Sequence, residues 1–228
     1  RDLWRLTNAE AGLIASAFAA WPERRIFDKS GRQTWGIVLP RVTDPAIHHL
    51  YSPAHRKIDF PAADWSFLIH VARNCAAAFE SIHAAGHVVG DVNQGGILVS
   101  RHGTVKLIDC DSFQVSDGRR LFTCDVGVPH FTAPELQGKS FRGLQRAPTH
   151  DSFGLAVLVF HLLFMGRHPF AGRYHGTGDM PIKLAIQQGR FAYGAAGAKV
   201  QMTPPPHALR LSHVSPAVAD LFERAFRH

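Results

Sequence analysis

HVVGDVNQGGILV, residues 87–99, and VKLIDCDSF, residues 105–113, decide the reading of this chain. Each joins an apolar, β-type run to an acidic turn. Asp91 stands in a Gly-bounded turn between His87–Val89 and Ile97–Ser100. Asp109 and Asp111 stand just past Val105–Ile108. Two acidic sites after strands, about 18 residues apart, suit a two-part device. One carboxylate orients a nucleophile, and the other holds a hard cation on phosphates. Taken singly, each also reads as a turn or capping residue, which is what most loop Asp residues are.

Outward from these turns the chain alternates clear elements with breakers. Asp64–Ala85 is the plainest helix, with Asp64 as its N-cap. Leu68, Val71, Ala72, Cys75, Phe79 and Ile82 form its apolar stripe, and Gly86 stops it. Upstream, Leu3, Leu6, Leu13, Ile14, Ala17 and Phe18 predict a first helix over 3–20, ended by Trp21-Pro22. Arg25–Phe27 and Thr34–Leu39 read as two strands around the turn at 28–31. Residues 43–63, with Pro45, Pro53 and Pro61, are expected to be loop. Downstream, His150–Met165 and Pro181–Gln188 read as apolar helices, and 192–208 as an Ala-, Gly- and Pro-rich loop. Pro216–Phe226 is a last amphipathic helix. No internal repeat and no second domain boundary is visible.

Composition narrows the class. At 228 residues the chain is long enough for a core without disulfide staples. Hydrophobic residues make up 46% and charged residues 19%, which excludes a disordered chain. Its 25 Lys and Arg against 18 Asp and Glu leave a formal charge of +7, which favours anionic partners. Three scattered Cys, at 75, 110 and 124, exclude a disulfide scaffold and a Cys-based zinc finger, and point to a reducing, cytoplasmic setting. Leu155–Met165, the longest apolar run, is too short to span a membrane. His48, His49, His55, His83 and His87 lack the spacing of a zinc site. No GxSxG elbow occurs, so hydrolase readings are weak. The basic residues are scattered, without a recognition-helix or aromatic-basic pattern, which makes a nucleic-acid module the least favoured class.

VPHFTAPELQG (128–138) and THDSFGLAVLVFHLLFMGRHPFAG (149–172) follow in order. With them the chain resembles the protein kinase superfamily. His87–Asp91 stands where the catalytic-loop His-Arg-Asp lies, with Val-Val-Gly between. Leu107–Asp111 resembles the strand ending in the metal-binding Asp-Phe-Gly. Ala133-Pro134-Glu135 matches Ala-Pro-Glu letter for letter. Asp151, Phe153 and Gly154 resemble the helix whose Asp steadies the catalytic loop. The phrases GDVNQGGILV, LIDCDSFQV and HLLFMGRHPFAG are most similar to bacterial kinases grouped with a TerY-type protein and a PP2C-type phosphatase, or to related kinases with helix-hairpin-helix segments.

Three departures stand against that pattern. No Gly-rich phosphate loop and no strand Lys is visible, and the chain opens on Arg1, so a piece of a longer protein is expected. Glu10 is the candidate partner for the absent Lys, or else a solvated helix-surface residue. The loop Asn that holds a second metal aligns with Gly96, which has no ligand atom; Asn93 stands where the loop Lys usually is and either reaches a phosphate or metal or is a turn Asn. Asp109-Cys110-Asp111 replaces Asp-Phe-Gly, so Asp111 is an extra cation ligand or a turn cap, and Cys110 a small core residue.

The resemblance implies an α+β, protein-kinase-like two-lobe fold: a reduced N-terminal lobe at 1–42 and a mainly helical C-terminal lobe at 43–228. It implies a bacterial, cytoplasmic transferase that moves the γ-phosphate of ATP to Ser or Thr of a protein. Asp91 is then the catalytic-loop base with Asn93 beside it, Asp109 and Asp111 hold Mg²⁺, and Leu39, Arg41 and Val42 form the adenine hinge with Glu10 near the phosphates. Residues 112–132, with Ser112, Ser116, Thr123 and Thr132, are the expected activation segment. Its partners are a protein substrate and, from the narrower resemblance, a cognate phosphatase and a TerY-type protein. The alternative is a pseudokinase that binds nucleotide or acts as a scaffold without turnover.

Overall fold

Two short strands, β1 (Arg24–Phe27) and β2 (Thr34–Val38), open the computed structural model, which describes residues 17–197 and 199–227. They pair antiparallel, and the Asp28 carboxylate closes their turn by accepting from the N–H groups of Arg32 and Gln33 at 2.9 and 3.0 Å. Three helices follow: α1 (His48–Tyr51), α2 (Pro53–Asp59) and α3 (Trp65–Ala84). Next come β3 (Ile97–Val99), β4 (Val105–Leu107), β5 (Val115–Ser116) and β6 (Leu121–Phe122). The remainder is α4 (Pro148–Leu163), β7 (Arg173–Tyr174), α5 (Ile182–Gln187), β8 (Met202–Thr203) and α6 (Pro216–Phe226). The described strands form four two-stranded antiparallel sheets, which with the helices make a mixed α+β fold.

Local chemistry sets the main boundaries. Asp64 accepts from the Phe67 N–H at 2.8 Å and so caps α3. Leu68, Val71, Cys75, Ala78, Phe79 and Ile82 bury one stripe of that helix. Gly86, at a φ of +79° that suits glycine, turns the chain out, and His87 N–H closes back on Ile82 C=O at 3.1 Å. α4 starts on Pro148, where a missing N–H costs nothing, and is buried on most of its circumference. Ser215 caps α6 at Val218 N–H. Phe160 of α4 is the hub of the helical core: it stacks on Phe164 at 4.0 Å and meets Tyr193 at 4.9 Å and Phe222 at 5.1 Å.

The β3–β4 hairpin joins this core to the strands upstream. Ile97 faces Leu107 and Val99 faces Val105. Ile47 N–H donates to Ile97 C=O at 2.9 Å on one side, and Ala20 N–H donates to Leu107 C=O at 2.7 Å on the other. Segments before and after the β1–β2 hairpin therefore flank β3–β4. No described helix is long and apolar enough to cross a membrane.

Several expectations need correction. Residues 43–63 are not simply loop, because α1 and α2 lie within them. Pro53, read as a breaker, occupies the first turn of α2, where proline is well tolerated. His87–Val89 forms no strand; Val88 makes a single bridge to Gln114. The 192–208 loop contains β8, paired to β7. Of the helix expected over 3–20, residues 1–16 lie outside the described part, and Ala17 and Phe18 are helical. All three Cys are buried and none forms a disulfide, and burial pushes the Cys75 and Cys110 thiols up to about 12.

Three expectations for stability follow from this pattern of burial. Phe160→Ala should cost about 3–5 kcal/mol in denaturant unfolding. Trp35 is 71% exposed. Trp35→Ala should therefore stay within about 0.5 kcal/mol of the unsubstituted protein. Burial pulls His161 down to about 3 and His168 down to about 4 from an ordinary 6.5. These rings stay neutral in the fold while the unfolded chain takes up protons below about pH 6.5, so stability is full above that pH and falls as the pH drops. In His161→Gln, unfolding curves taken across that acidic range should lose up to about 1.4 kcal/mol per pH unit of this slope. An unchanged slope would contradict the assignment.

Candidate active site

Asp151, in the first turn of α4, is 1% exposed, and its carboxylate is saturated. It accepts from Val89 N–H at 2.7 Å, from Gly90 N–H at 2.8 Å and from His83 Nε2 at 2.8 Å. A buried carboxylate needs such donors, and here they come from the end of α3 and the two residues ahead of Asp91. The clamp fixes the entry to the loop. Gly90 takes a φ of +75°, open mainly to glycine.

Asn93 closes the loop itself. Its Oδ1 accepts from Gly95 N–H at 2.8 Å and Gly96 N–H at 3.1 Å, and its Nδ2 donates to Asp91 C=O at 3.0 Å. Gly96 C=O then accepts from Ile108 N–H at 2.9 Å, which joins the loop to the end of β4. One residue on, Asp109 has a φ of +58°, uncommon for a residue with a side chain. Its carbonyl holds that turn by accepting from Ser112 N–H at 2.9 Å and Ser112 Oγ at 2.8 Å.

The two turns converge on one narrow cleft of about 20 Å³, lined among others by Asp91, Asn93, Gly96, Asp109 and Ser112. Burial pushes the Asp91 carboxyl above the usual carboxylate range; the Asn93 side chain, Arg146 and the Val128 N–H pull it back, and Asp109 adds to the upward push. Asp91 Oδ1 is buried without a hydrogen-bond partner, a position that calls for a donor from outside the chain. The donor set is oxygen throughout, with no cluster of three metal-binding side chains among the described residues. That fits Mg²⁺, which binds through one or two carboxylates, phosphate oxygens and water rather than in an all-protein cage.

The structure therefore brings together Asp91, Asn93 and Asp109. Asp111 is exposed in the turn at Cys110–Ser112 and does not line that cleft. Leu39, 41% exposed, Arg41 and Val42 follow β2 and do not line it either. Glu10 lies outside the described residues. His87, the His of the catalytic-loop resemblance, does not line the cleft. It is 3% exposed and stacks on Trp21 at 5.4 Å, because the clamp holds Val89 and Gly90 immediately ahead of Asp91. Cys110 is the small core residue expected. In the 112–132 segment, Thr132 is buried and its hydroxyl donates to Val128 C=O at 2.8 Å. The sequence reading missed the roles of His83, Gln114 and Arg146. Their hydrogen-bond partners in these roles lie 20 to 68 positions away, so no local pattern marks them.

No family model matches the chain. Protein kinase YegI of Escherichia coli strain K12 is 42% identical over 222 residues, covering 96% of this chain and 34% of the relative. Serine/threonine-protein kinase PknL of Mycobacterium tuberculosis strain H37Rv is 30% identical over 138 residues, 60% of this chain and 32% of that kinase. PknK, the serine/threonine-protein kinase of Mycobacterium bovis, is 30% identical over 101 residues, 44% of this chain and 9% of that kinase. The chain thus spans about a third of the length of the first of these. The similarities support a place in the protein kinase superfamily.

The clamp makes a direct prediction. Asp151→Ala leaves the Val89 and Gly90 N–H groups buried and unpaired, at about 1–3 kcal/mol each. Denaturant unfolding should show that loss, and amide hydrogen exchange at Val89 and Gly90 should rise well above that of the α3 interior. Unchanged protection at these two amides would refute the role given to Asp151.

Proposed function

We propose that the chain forms the phosphotransfer part of a bacterial, cytoplasmic protein kinase that moves the γ-phosphate of ATP to Ser or Thr of a protein substrate. The observation that carries this reading is the meeting of Asp91 and Asp109 at one cleft, each on a turn fixed by hydrogen bonds. Such transfer asks little covalent chemistry of the protein; position and charge neutralisation carry the rate. Asp91, with Oδ1 free, orients the acceptor hydroxyl. Asp109 holds Mg²⁺, which neutralises charge on the phosphates. Asn93 keeps the loop closed, since its oxygen is already taken by two N–H groups.

The same reading assigns residues 1–42 to a reduced N-terminal lobe and 43–228 to a helical C-terminal lobe, with Leu39, Arg41 and Val42 against adenine and Glu10 near the phosphates. Asp111 would add a cation ligand from outside the cleft. The likeness of GDVNQGGILV and LIDCDSFQV to the TerY-associated kinases extends the proposed partners to a cognate phosphatase and a TerY-type protein.

A second reading, nucleotide binding or scaffolding without turnover, is favoured by Gly96, which offers no side-chain ligand, and by the engaged Asn93 oxygen. The two readings part in one assay on the full-length protein. Phosphate transfer from radiolabelled ATP should fall by at least about a hundredfold in Asp91→Ala and in Asp109→Asn. Asp109→Asn should also lose Mg²⁺-dependent ATP binding. Retained ATP binding with no transfer in the unsubstituted protein would select the scaffold reading.

A further inference from the structure

Arg146, two residues ahead of α4, is 4% exposed. Its main chain is pinned by one side chain: the N–H donates to Gln114 Oε1 at 2.7 Å, and the C=O accepts from Gln114 Nε2 at 2.7 Å. Gln114 in turn exchanges main-chain bonds with Val88 at 2.9 and 2.8 Å. From this fixed base the guanidinium turns inward. Nη1 donates to Gly90 C=O, Nη2 donates to Val126 C=O, and Cζ lies 4.1 Å from the centre of the Phe141 ring. Among the described residues Arg146 forms no ion pair, and its Nε has no partner.

The charge of Arg146 favours the ionised Asp91 carboxylate, but capping two carbonyls does not by itself require a charge. What arginine adds is a rigid planar fork with two donors at fixed separation. The chain leaves room for that fork. A Cβ on Gly90 would lie 2.6 Å from Cys124 Cβ and 3.4 Å from Arg146 Nη1. A Cβ on Gly127 would lie 2.7 Å from the Phe141 ring and 3.2 Å from Arg146 Nη2. The two carbonyls that the fork bridges belong to the residue before Asp91 and to the segment that presents the Val128 N–H to Asp91.

We propose that Arg146 is a positioning residue of the site: its guanidinium locks the loop carrying Asp91 to residues 124–128 and thereby sets where Asp91 meets the acceptor. The inference rests on the phosphotransfer reading. Arg146 does not line the cleft shared by Asp91 and Asp109, so its removal acts on the transfer step rather than on nucleotide binding.

The test uses the full-length protein. In Arg146→Ala, kcat for transfer should fall about a hundredfold, the scale of a small misplacement of a reacting group, with KM for Mg-ATP nearly unchanged. Arg146→Lys keeps the charge but not the fork and should recover little of the loss. Millimolar guanidinium should partly restore Arg146→Ala and leave Asp91→Ala inactive. Unchanged kcat, a loss carried by KM, or full rescue by Lys would each overturn the proposal. If Arg146→Ala melts below the assay temperature, the Lys variant carries the same comparison of kcat with KM. If the unsubstituted protein shows no Asp91-dependent transfer, the phosphotransfer reading fails by itself, and amide exchange then judges the lock. Exchange over 124–128 should speed up in the Arg146 variant and slow again with guanidinium; equal exchange overturns the lock.

Discussion

The carboxylate of Asp151 is the constraint on which the site depends. It is buried, so it must be saturated, and its donors can come only from elements that pack against the start of α4. Two are the N–H groups of Val89 and Gly90, which have no strand or helix of their own to satisfy them. The third is His83, at the end of α3. One side chain therefore joins the two long helices and fixes the chain direction one residue before Asp91. Without it, an irregular loop would carry unpaired polar backbone into the core.

Once that entry is set, the rest of the site is propagated by the backbone. Asn93 closes the turn after Asp91, and Gly96 hands the register to Ile108. The β3–β4 pairing then places Asp109 at the mouth of the same cleft. Neither carboxylate is held by a direct bond to the other. They are held by a hairpin whose two ends they occupy, a more rigid support than two independent loops give.

Much of this was legible in the sequence, and the parts that were not share a cause. α3 and α6 were visible from their periodicity, and α3 also from Asp64, which is its N-cap. The acidic turns were visible because each follows an apolar run. Asp151 was visible by resemblance. By contrast, α1 and α2 were hidden because Pro53 looks the same as a breaker and as a first-turn residue. β5 to β8 are two residues each, too short for any period. The packing of His87 on Trp21 was hidden because the two lie 66 positions apart. Arg146 and Gln114 find each other across 32 residues and leave only Gly90 and Gly127 as a local trace.

The balance of forces on Asp91 shows what this scaffold accomplishes. Burial and the neighbouring Asp109 both disfavour the charged carboxylate, while Asn93, Arg146 and the Val128 N–H favour it. Asn93 and Asp109 sit beside the Asp151 clamp and the β3–β4 hairpin, while Gln114 pins Arg146, and Arg146 in turn holds the segment that carries Val128. The opposing pulls on this carboxylate are thus built into the fold. One oxygen of Asp91 is nonetheless left without a donor. Asp151, far less accessible, is satisfied three times over, so the Asp91 oxygen stays the acceptor in the cleft that is open to a donor from outside the chain.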